Sequence, residues 1–482
     1  MVDLVDKSGE TLRLMRMSGE LSAVELLDAC QNRIDDLNGR LIAFVASNYE
    51  KARLEAEEID RSGQLGTLLG LPVAIKDLND VAGVPTTFGS PLFETNIPTQ
   101  DDDVTKSVRN ANGLVLGKTN VPEHGFGATT TNPLFGSTGN PFNQLLSAGA
   151  STGGGAAAVA SGMVPYATGS DFAGSLRTPA AFCGITGIRP SNGIVGTNRR
   201  SMAWSSFDVE GPVARTAADC KRLLAAMSRS ERSDPLTARP DCSLNKSPKT
   251  LPLSNLRVAI SEDLGFAPMC KSYRAAFRSK IALFEKLFKS VDDDHPPLGC
   301  VEKTFMTLRG LGFLADFGPM ESDFGEKLGA VVIDELHRAR KLGAEQIGQA
   351  MKSHTEIFRG AIDFFDCYDI LITPAAAVPP FPHTECYPQQ IDGQSLDGYL
   401  FWEAISWGIT VTQCPAVVIP CGSSSSLPFG LQIVGPHLKD GWLLDIANTL
   451  ETVFTNDTEL GRLTPDLTKL SVKTNKENLK CV

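Results

Sequence analysis

Short apolar segments that alternate with glycine-rich turns and helical segments restrict the fold of this 482-residue chain most strongly. Residues 71–75 and 114–116 are short, apolar and suited to strands, whereas residues 104–112 between them have helical spacing. Residues 416–419 and 429–434 repeat the strand pattern near the other end of the chain. Strands that alternate with helices form sheets whose two faces are covered. The sequence therefore predicts an α/β fold with a largely parallel sheet between helices.

The first sixty residues predict helices. Ser22 and Glu25 have the spacing of a capping box, and apolar residues follow at intervals of three and four as far as Gly39. Gly39 is a plausible end for this helix, because glycine is common where helices stop. A second, charged helix is expected from Asn48 to Arg61, closed by Gly63.

We interpret residues 1–482 as a single domain, because large α/β enzymes often fold as one. A segment rich in Ser, Pro, Asp and Lys follows residue 228, and longer helices are expected after it. The expected parts are N-terminal helices in 1–63, the core with its reactive residues in 69–225, a helical and surface excursion in 228–365, the rest of the core in 366–465, and a flexible tail with four lysines in 466–482.

Composition and charge exclude several classes of function. The net charge of −11, without a basic stripe, argues against a nucleic-acid partner. We expect no membrane span, because no apolar run approaches about 18 residues. The first residues lack a signal-peptide pattern, so a cytoplasmic protein is predicted. The cysteines and histidines show neither C-x-x-C nor H-x-x-x-H spacing, so we expect no metal.

Three turns carry side chains suited to amide hydrolysis. Lys76 ends an apolar strand, Ser151 lies in the turn G-A-S-T-G-G-G at 149–155, and Ser175 lies in the turn G-S-D-F-A-G-S-L-R-T-P at 169–179. The last of these turns can direct consecutive backbone N–H groups at one point, as an oxyanion hole requires. Two serines and a lysine can supply a nucleophile, a proton shuttle and a base without histidine or metal.

Other interpretations of these turns remain open from the residues alone. Lys76 could be a solvated lysine at a strand end. Residues 149–153 match the G-x-S-x-G elbow of α/β-hydrolases, with Ser151 as nucleophile and His383 or His437 as nominal bases. The elbow needs a strand directly before it, however, and residues 140–144 are a poor strand.

The residues around all three positions resemble the amidase signature family. Residues 149–159 read G-A-S-T-G-G-G-A-A-A-V where the family has G-G-S-S-G-G-S-A-A-A-V, and residues 169–180 follow its G-[ST]-D-x-G-G-S-x-R-x-P-A segment. Lys76 matches the lysine of its P-V-A-I-K-D segment. The likeness is dense over residues 60–225 and again over 366–445. It implies an α/β/α sandwich with a large central mixed β-sheet flanked by helices.

The resemblance also implies roles for individual residues. Ser175 would be the nucleophile, Ser151 would pass the proton after a cis peptide bond from Ala150, and Lys76 would be the base, with no cofactor. The implied oxyanion hole consists of the backbone N–H groups of Phe172, Ala173, Gly174 and Ser175. Asp171, Arg177 and Thr152 would support the site.

This chain departs from the family pattern at five positions near the site. Ala150 and Ala173 replace glycines, Thr152 and Gly155 replace serines, and Phe172 is bulkier than the usual residue. None of these changes removes a backbone donor. We expect them to affect substrate preference more than catalysis.

The sequence thus predicts an amidase that hydrolyses a small-molecule carboxamide with an aryl or other hydrophobic acyl group. Residues 398–407, with Phe172 and Trp204, are apolar enough to line its pocket. The alternative is the glutamine-hydrolysing, A-type component of a tRNA-dependent amidotransferase, although residues 205–210 read S-S-F-D-V-E where that component usually has S-S-L-D-Q-I. A signature protein without activity, serving as a binding module, is a third possibility. The sequence leaves the oligomeric state open, although a homodimer is common in such folds.

Overall fold

A mixed sheet of eleven strands runs through the computed structural model, which describes residues 4–63, 66–238 and 241–471. Its strands are β1 (Phe44–Ser47), β2 (Pro72–Lys76), β3 (Leu114–Thr119), β4 (Tyr166–Asp171), β5 (Thr186–Arg189), β6 (Val209–Ala214), β7 (Arg257–Ile260), β8 (Ser290–Asp293), β9 (Ile370–Pro374), β10 (Ala416–Ser424) and β11 (Leu427–Val434). Their spatial order is β1-β3-β2-β4-β6-β5-β10-β11-β9-β7-β8. Three two-stranded hairpins lie outside this sheet in the described residues.

The expectation of a largely parallel sheet is wrong, whereas the mixed sheet implied by the family resemblance is confirmed. Strand β2 pairs in parallel with β3 and β4, and β7 pairs in parallel with β8 and β9. The central strands pair antiparallel. One reason is the two-residue turn between β10 and β11, where Ser425 and Ser426 both have positive φ, of 51° and 68°. Such a turn joins adjacent antiparallel strands.

Thirteen α-helices occur in the described residues. They are α1 (Gly9–Ser18), α2 (Ala23–Leu41), α3 (Tyr49–Ser62), α4 (Asp103–Asn110), α5 (Gly153–Ala160), α6 (Arg177–Cys183), α7 (Ala217–Met227), α8 (Lys271–Phe284), α9 (Val301–Phe324), α10 (Ala330–Ala339), α11 (Ala344–Cys367), α12 (Ala404–Thr412) and α13 (Asp440–Phe454). Helices α5, α6, α7 and α13 contact the central strands. None of the helices in this part of the chain is long and apolar enough to cross a lipid bilayer.

Several local predictions are confirmed, and two need correction. The capping box of Ser22 and Glu25 is present at the start of α2, and Gly63 caps α3 with a φ of 63°. Helix α2 does not stop at Gly39 but continues to Leu41, where the left-handed residue Ile42 ends it. The segment 228–365 is not only helical, because it contributes β7 and β8 to the sheet. Most of the predicted tail, the part after residue 471, lies outside the described residues.

Helix α5 approaches the backbone of neighbouring segments very closely. A Cβ atom added to Gly154 would lie 2.6 Å from Asn120 O and 2.8 Å from Ala43 O. Real Cβ atoms do not come so near to backbone atoms, so only glycine fits there. This close packing fixes the start of α5, directly after the turn that carries Ser151.

We expect Gly154→Ala to destabilise the protein by about 1–3 kcal/mol, because the added methyl group must displace backbone. The matched control is Gly348→Ala in α11, where an added Cβ meets no atom within 4 Å. That control should leave stability unchanged or raise it slightly, because alanine is the better helix former. Chemical denaturation of both variants tests this expectation. Equal stability of the two variants would contradict the close approach.

Candidate active site

Ser151 and Ser175 line one cavity, and Lys76 contacts Ser151. Lys76 is the last residue of β2, Ser151 follows the cis peptide bond from Ala150, and Ser175 lies in the turn between β4 and α6. Lys76 Nζ lies 2.7 Å from Ser151 Oγ, within hydrogen-bond distance. Both serines line the same cavity. The predicted cis peptide bond is confirmed.

The ammonium group of Lys76 is held among neutral oxygen atoms. Besides Ser151, it lies 3.1 Å from Thr152 Oγ1, 3.0 Å from Ser170 Oγ and 3.4 Å from Ser170 O. The backbone N–H of Lys76 donates to Thr168 Oγ1 at 3.2 Å. Ser170 and Thr168 were missed in the sequence, although their alternate positions in β4 place them on one face of the strand.

Burial lowers the pKa of Lys76 to about 8, because the charged form loses its hydration. The carboxylates of Glu210 and Asp208 act in the opposite direction, and the guanidinium of Arg199 acts with burial. The side chain of Lys76 has no exposed surface. A lysine in this environment is partly neutral near pH 8 and can accept a proton.

Asp171 shapes the turn that carries Ser175. Its carboxylate accepts hydrogen bonds from the backbone N–H groups of Gly174 and Leu176, both at 3.1 Å. Arg177 donates to both carboxylate oxygens, at 2.9 and 3.0 Å. Burial opposes ionisation of Asp171, but the charges of Arg177 and Arg189 outweigh it and hold the pKa of Asp171 below its usual range. The Gly174 N–H is thereby engaged by Asp171 and not by the cavity.

Arg177 connects this turn to distant parts of the chain. It donates to Ser406 O at 2.6 Å, to Gln432 Oε1 at 2.8 Å and to Thr410 Oγ1 at 2.9 Å. These partners belong to α12 and β11, more than 200 residues later in the sequence. Arg177 therefore fixes the turn against the C-terminal part of the sheet.

The cavity that both serines line has a volume of about 510 Å³, and its lining combines charged and apolar side chains. Its phenylalanines, which we call its apolar side, are Phe88, Phe93, Phe126, Phe172, Phe313 and Phe317. Phe126 and Phe313 have ring centroids 4.5 Å apart, and Phe172 packs edge-on against Phe207. A flat or extended apolar group could fill this side of the cavity.

The predicted pocket stretch 398–407 contributes only in part. Tyr399, Leu400 and Glu403 line the cavity. Trp402 and Trp407 are instead buried in the hydrophobic core. Trp204 is 78% exposed and does not line the cavity, so this expectation is wrong.

Helix α9 supplies a wall of the cavity that sequence reasoning missed. Phe313 and Phe317 lie one turn apart on α9, and Arg309 precedes them by one turn. Arg309 forms an ion pair with Glu335 at 2.5 Å. Their spacing in the sequence is that of ordinary core residues, so it gives no signal of a binding site.

Known proteins resemble this chain over most of its length. The Amidase family model matches residues 25–444. The acylamidase of Rhodococcus erythropolis is 33% identical over 90% of this chain and 93% of its own length. The A-type component of the glutamyl-tRNA(Gln) amidotransferase of Chromohalobacter salexigens is 31% identical over 92% of this chain and 96% of its own length.

A solved structure has the same fold. A bacterial aryl acylamidase of the amidase signature family superposes with a TM-score of 0.85, at 25% identity, and the match covers 92% of this chain and 96% of that chain. The family match spans most of the chain, and the likeness to acylamidases extends over nearly the whole of each protein. This chain therefore belongs to the amidase signature family and is an amide-hydrolysing enzyme.

Proposed function

We propose that this enzyme hydrolyses a carboxamide with an aryl or other hydrophobic acyl group to a carboxylic acid and ammonia or an amine, through an acyl-enzyme on Ser175. The observation that carries the proposal is the hydrogen-bond contact of 2.7 Å between the buried Lys76 Nζ and Ser151 Oγ, in the cavity that Ser175 also lines. No cofactor is needed for this chemistry.

In the first step, Ser175 Oγ attacks the amide carbonyl carbon. Its proton passes to Ser151 Oγ as the Ser151 proton passes to the neutral Lys76 Nζ. The lowered pKa of Lys76, about 8, supports its role as the base. The protonated lysine then returns a proton through Ser151 to the leaving nitrogen, and the C–N bond breaks.

The negative charge on the carbonyl oxygen needs preorganised donors. The N–H groups of Phe172, Ala173 and Ser175 are the proposed oxyanion hole. Gly174 was part of the set implied by the resemblance, but its N–H donates to Asp171. We therefore assign Gly174 a conformational role, which its φ of 133° supports.

Hydrolysis of the acyl-enzyme repeats these proton transfers with water in place of Ser175. The lysine, through Ser151, takes a proton from the water as its oxygen attacks the ester carbon. The same proton then protonates Ser175 Oγ as the acid leaves. Thr152, whose Oγ1 lies 3.1 Å from Lys76 Nζ, supports the position of the base.

The apolar side of the cavity supports the hydrophobic acyl preference. Six phenylalanines surround the volume next to the reactive serines. Two relatives are named acylamidase and aryl acylamidase, which agrees with hydrolysis of an acyl amide but names no acyl group. The burial of each apolar carbon of the acyl group would contribute about 0.8 kcal/mol to binding.

Glutamine hydrolysis for a tRNA-dependent partner is the second candidate function. It is favoured by the relatives that are A-type components of glutamyl-tRNA(Gln) amidotransferases, which reach 31% identity. The phenylalanines of the cavity suit glutamine poorly, because its charged amino and carboxylate groups would lose hydration beside apolar rings. The charged residues of the same lining could receive those groups; they are Arg199, Arg200, Asp208, Arg309, Asp316 and Glu403. The cytoplasmic location stays a prediction from the sequence.

Ammonia release by the purified chain tests both candidates. The substrates are aliphatic, aryl and arylacetic amides, together with glutamine. We expect turnover of aryl or arylacetic amides and little turnover of glutamine. Turnover of glutamine alone, or activity only after addition of a partner protein, would contradict the proposal and support the second candidate.

A further inference from the structure

Glu210 is a buried carboxylate for which the proposed reaction has no use. It lies in β6, is 3% exposed, and pairs with Ser170 of β4 in the antiparallel register. Ser170 Oγ is a hydrogen-bond partner of Lys76 Nζ at 3.0 Å. Glu210 therefore lies directly across the strand pair from Ser170, which contacts the proposed base, Lys76.

Hydrogen bonds connect Glu210 to the turn that follows Lys76. Glu210 Oε1 accepts from Asn79 Nδ2 at 3.2 Å and from Arg199 Nη2 at 2.9 Å. The backbone N–H of Asn79 donates to Lys76 O at 3.0 Å. Arg199 also donates to Leu78 O. The carboxylate and the guanidinium thus hold the same turn that positions the lysine.

The second carboxylate oxygen, Glu210 Oε2, is buried without a hydrogen-bond partner among the described residues. A buried carboxylate with an unsatisfied oxygen is costly, and a nearby positive charge offsets part of the cost. The charged groups that shift the pKa of Lys76 are Glu210, Asp208, Arg199 and Asp171. Those that shift the pKa of Glu210 include Arg199, Asp208 and Asp102. Asp171 is paired with Arg177.

Glu210 is the strongest of the carboxylates that favour the charged form of Lys76. Burial lowers the pKa of Lys76, and the carboxylate of Glu210 is the largest opposing influence. Burial also raises the pKa of Glu210, to about 7, while Arg199 acts to lower it. The guanidinium of Arg199 and the hydrogen bond from Asn79 favour the ionised form of Glu210.

We propose that Glu210 is a positioning residue for amide hydrolysis: its carboxylate, fixed by Arg199 and Asn79, stabilises the protonated form of Lys76 and so sets the pH at which the base becomes available. This inference rests on the proposed function of Lys76. It assigns to Glu210 an electrostatic role in addition to its hydrogen bonds with the turn.

The test is the rate at which an alkyl fluorophosphonate inactivates the enzyme as a function of pH, because this probe reports the reactivity of Ser175 without knowledge of the substrate. In Glu210→Gln, the protonated lysine loses a stabilising negative charge. We therefore expect the rising limb of the profile to move to lower pH by about one unit. Glu210→Asp keeps the charge and should move the limb by less than half as much.

The matched control is Glu451→Gln. Glu451 is another buried carboxylate, whose pKa burial raises to about 7, and it accepts a hydrogen bond from the Ala217 N–H at 2.8 Å, away from the cavity. Its profile should coincide with that of the wild type. Thermal unfolding establishes whether each variant is folded. If Glu210→Gln is not folded, the test uses Glu210→Asp alone.

Suppose that the wild type reacts normally and that the rising limb of Glu210→Gln lies at the same pH as that of the wild type. This result would overturn the inference and leave the proposed function intact. If only Glu210→Asp is folded, a shift of its rising limb by as much as one pH unit would also overturn the inference. Equal displacement in Glu451→Gln would also overturn it, because the effect would then not be local. A wild type that does not react with the probe at any pH would overturn the proposed function and this inference together.

Discussion

Replacement of Ser175 by alanine should lower kcat for a hydrophobic amide by about 10⁴-fold or more. The physical reason is that, in the proposed mechanism, the hydroxyl of Ser175 forms the acyl-enzyme. The hydrogen bonds of Asp171 to Gly174 and Leu176 do not involve the Ser175 side chain, so the turn should keep its shape. Steady-state kinetics together with thermal unfolding measure this effect.

Ser161→Ala is the matched control for Ser175→Ala. Ser161 is also buried, and its Oγ donates to Ala157 O at 2.7 Å at the end of α5, away from the cavity. The control should retain activity per folded molecule. Substantial turnover by Ser175→Ala would show that another residue is the nucleophile, and Ser151 would be the first to examine because of its G-x-S-x-G context.

Replacement of Lys76 by methionine should lower kcat/KM by about 10³-fold, which is the usual contribution of a general base. Methionine fills a similar volume without a proton-accepting nitrogen. Lys76→Arg should be impaired as strongly, because arginine stays protonated at any pH at which the protein is folded. The control is Lys221→Met, which removes a buried lysine whose partner is Asp445 at 2.6 Å.

The wild-type pH profile gives the same prediction an independent readout. In the proposed mechanism the neutral form of Lys76 is the active one, and burial lowers the pKa of Lys76 to about 8. The value of kcat/KM should therefore rise as the pH increases through about 8 and should be lost below it. The residual activity of Lys76→Met should lack this limb. A limb that persists unchanged in the variant would assign the titration to another group.

Local signals predicted the parts of the fold that depend on short stretches of sequence. The capping box at Ser22 and the glycine cap at Gly63 depend only on neighbouring residues, and both are confirmed. Strands β7 and β8 were not predicted, because they are short and β8 carries the exposed residues Asp292 and Asp293 at the sheet edge. An edge strand needs no continuous apolar run, so its pattern resembles a loop.

The candidate site was predictable where it follows local motifs. Lys76, Ser151 and Ser175 lie in turns whose residues resemble a family signature. The helix α9 wall, with Phe313 and Phe317, could not be predicted, because apolar residues at helical spacing indicate burial but not what they face. The prediction that Trp204 lines the cavity was wrong for the converse reason: a tryptophan is usually buried, yet this one is exposed.

The most direct test of the central claim is to find which residue becomes covalently modified. The wild-type enzyme would be treated with an alkyl fluorophosphonate, digested, and analysed by peptide mass spectrometry. We predict a single phosphonyl group on Ser175, absent in Ser175→Ala and formed much more slowly in Lys76→Met. A phosphonyl group on Ser151, with Ser175 unmodified, would contradict the account.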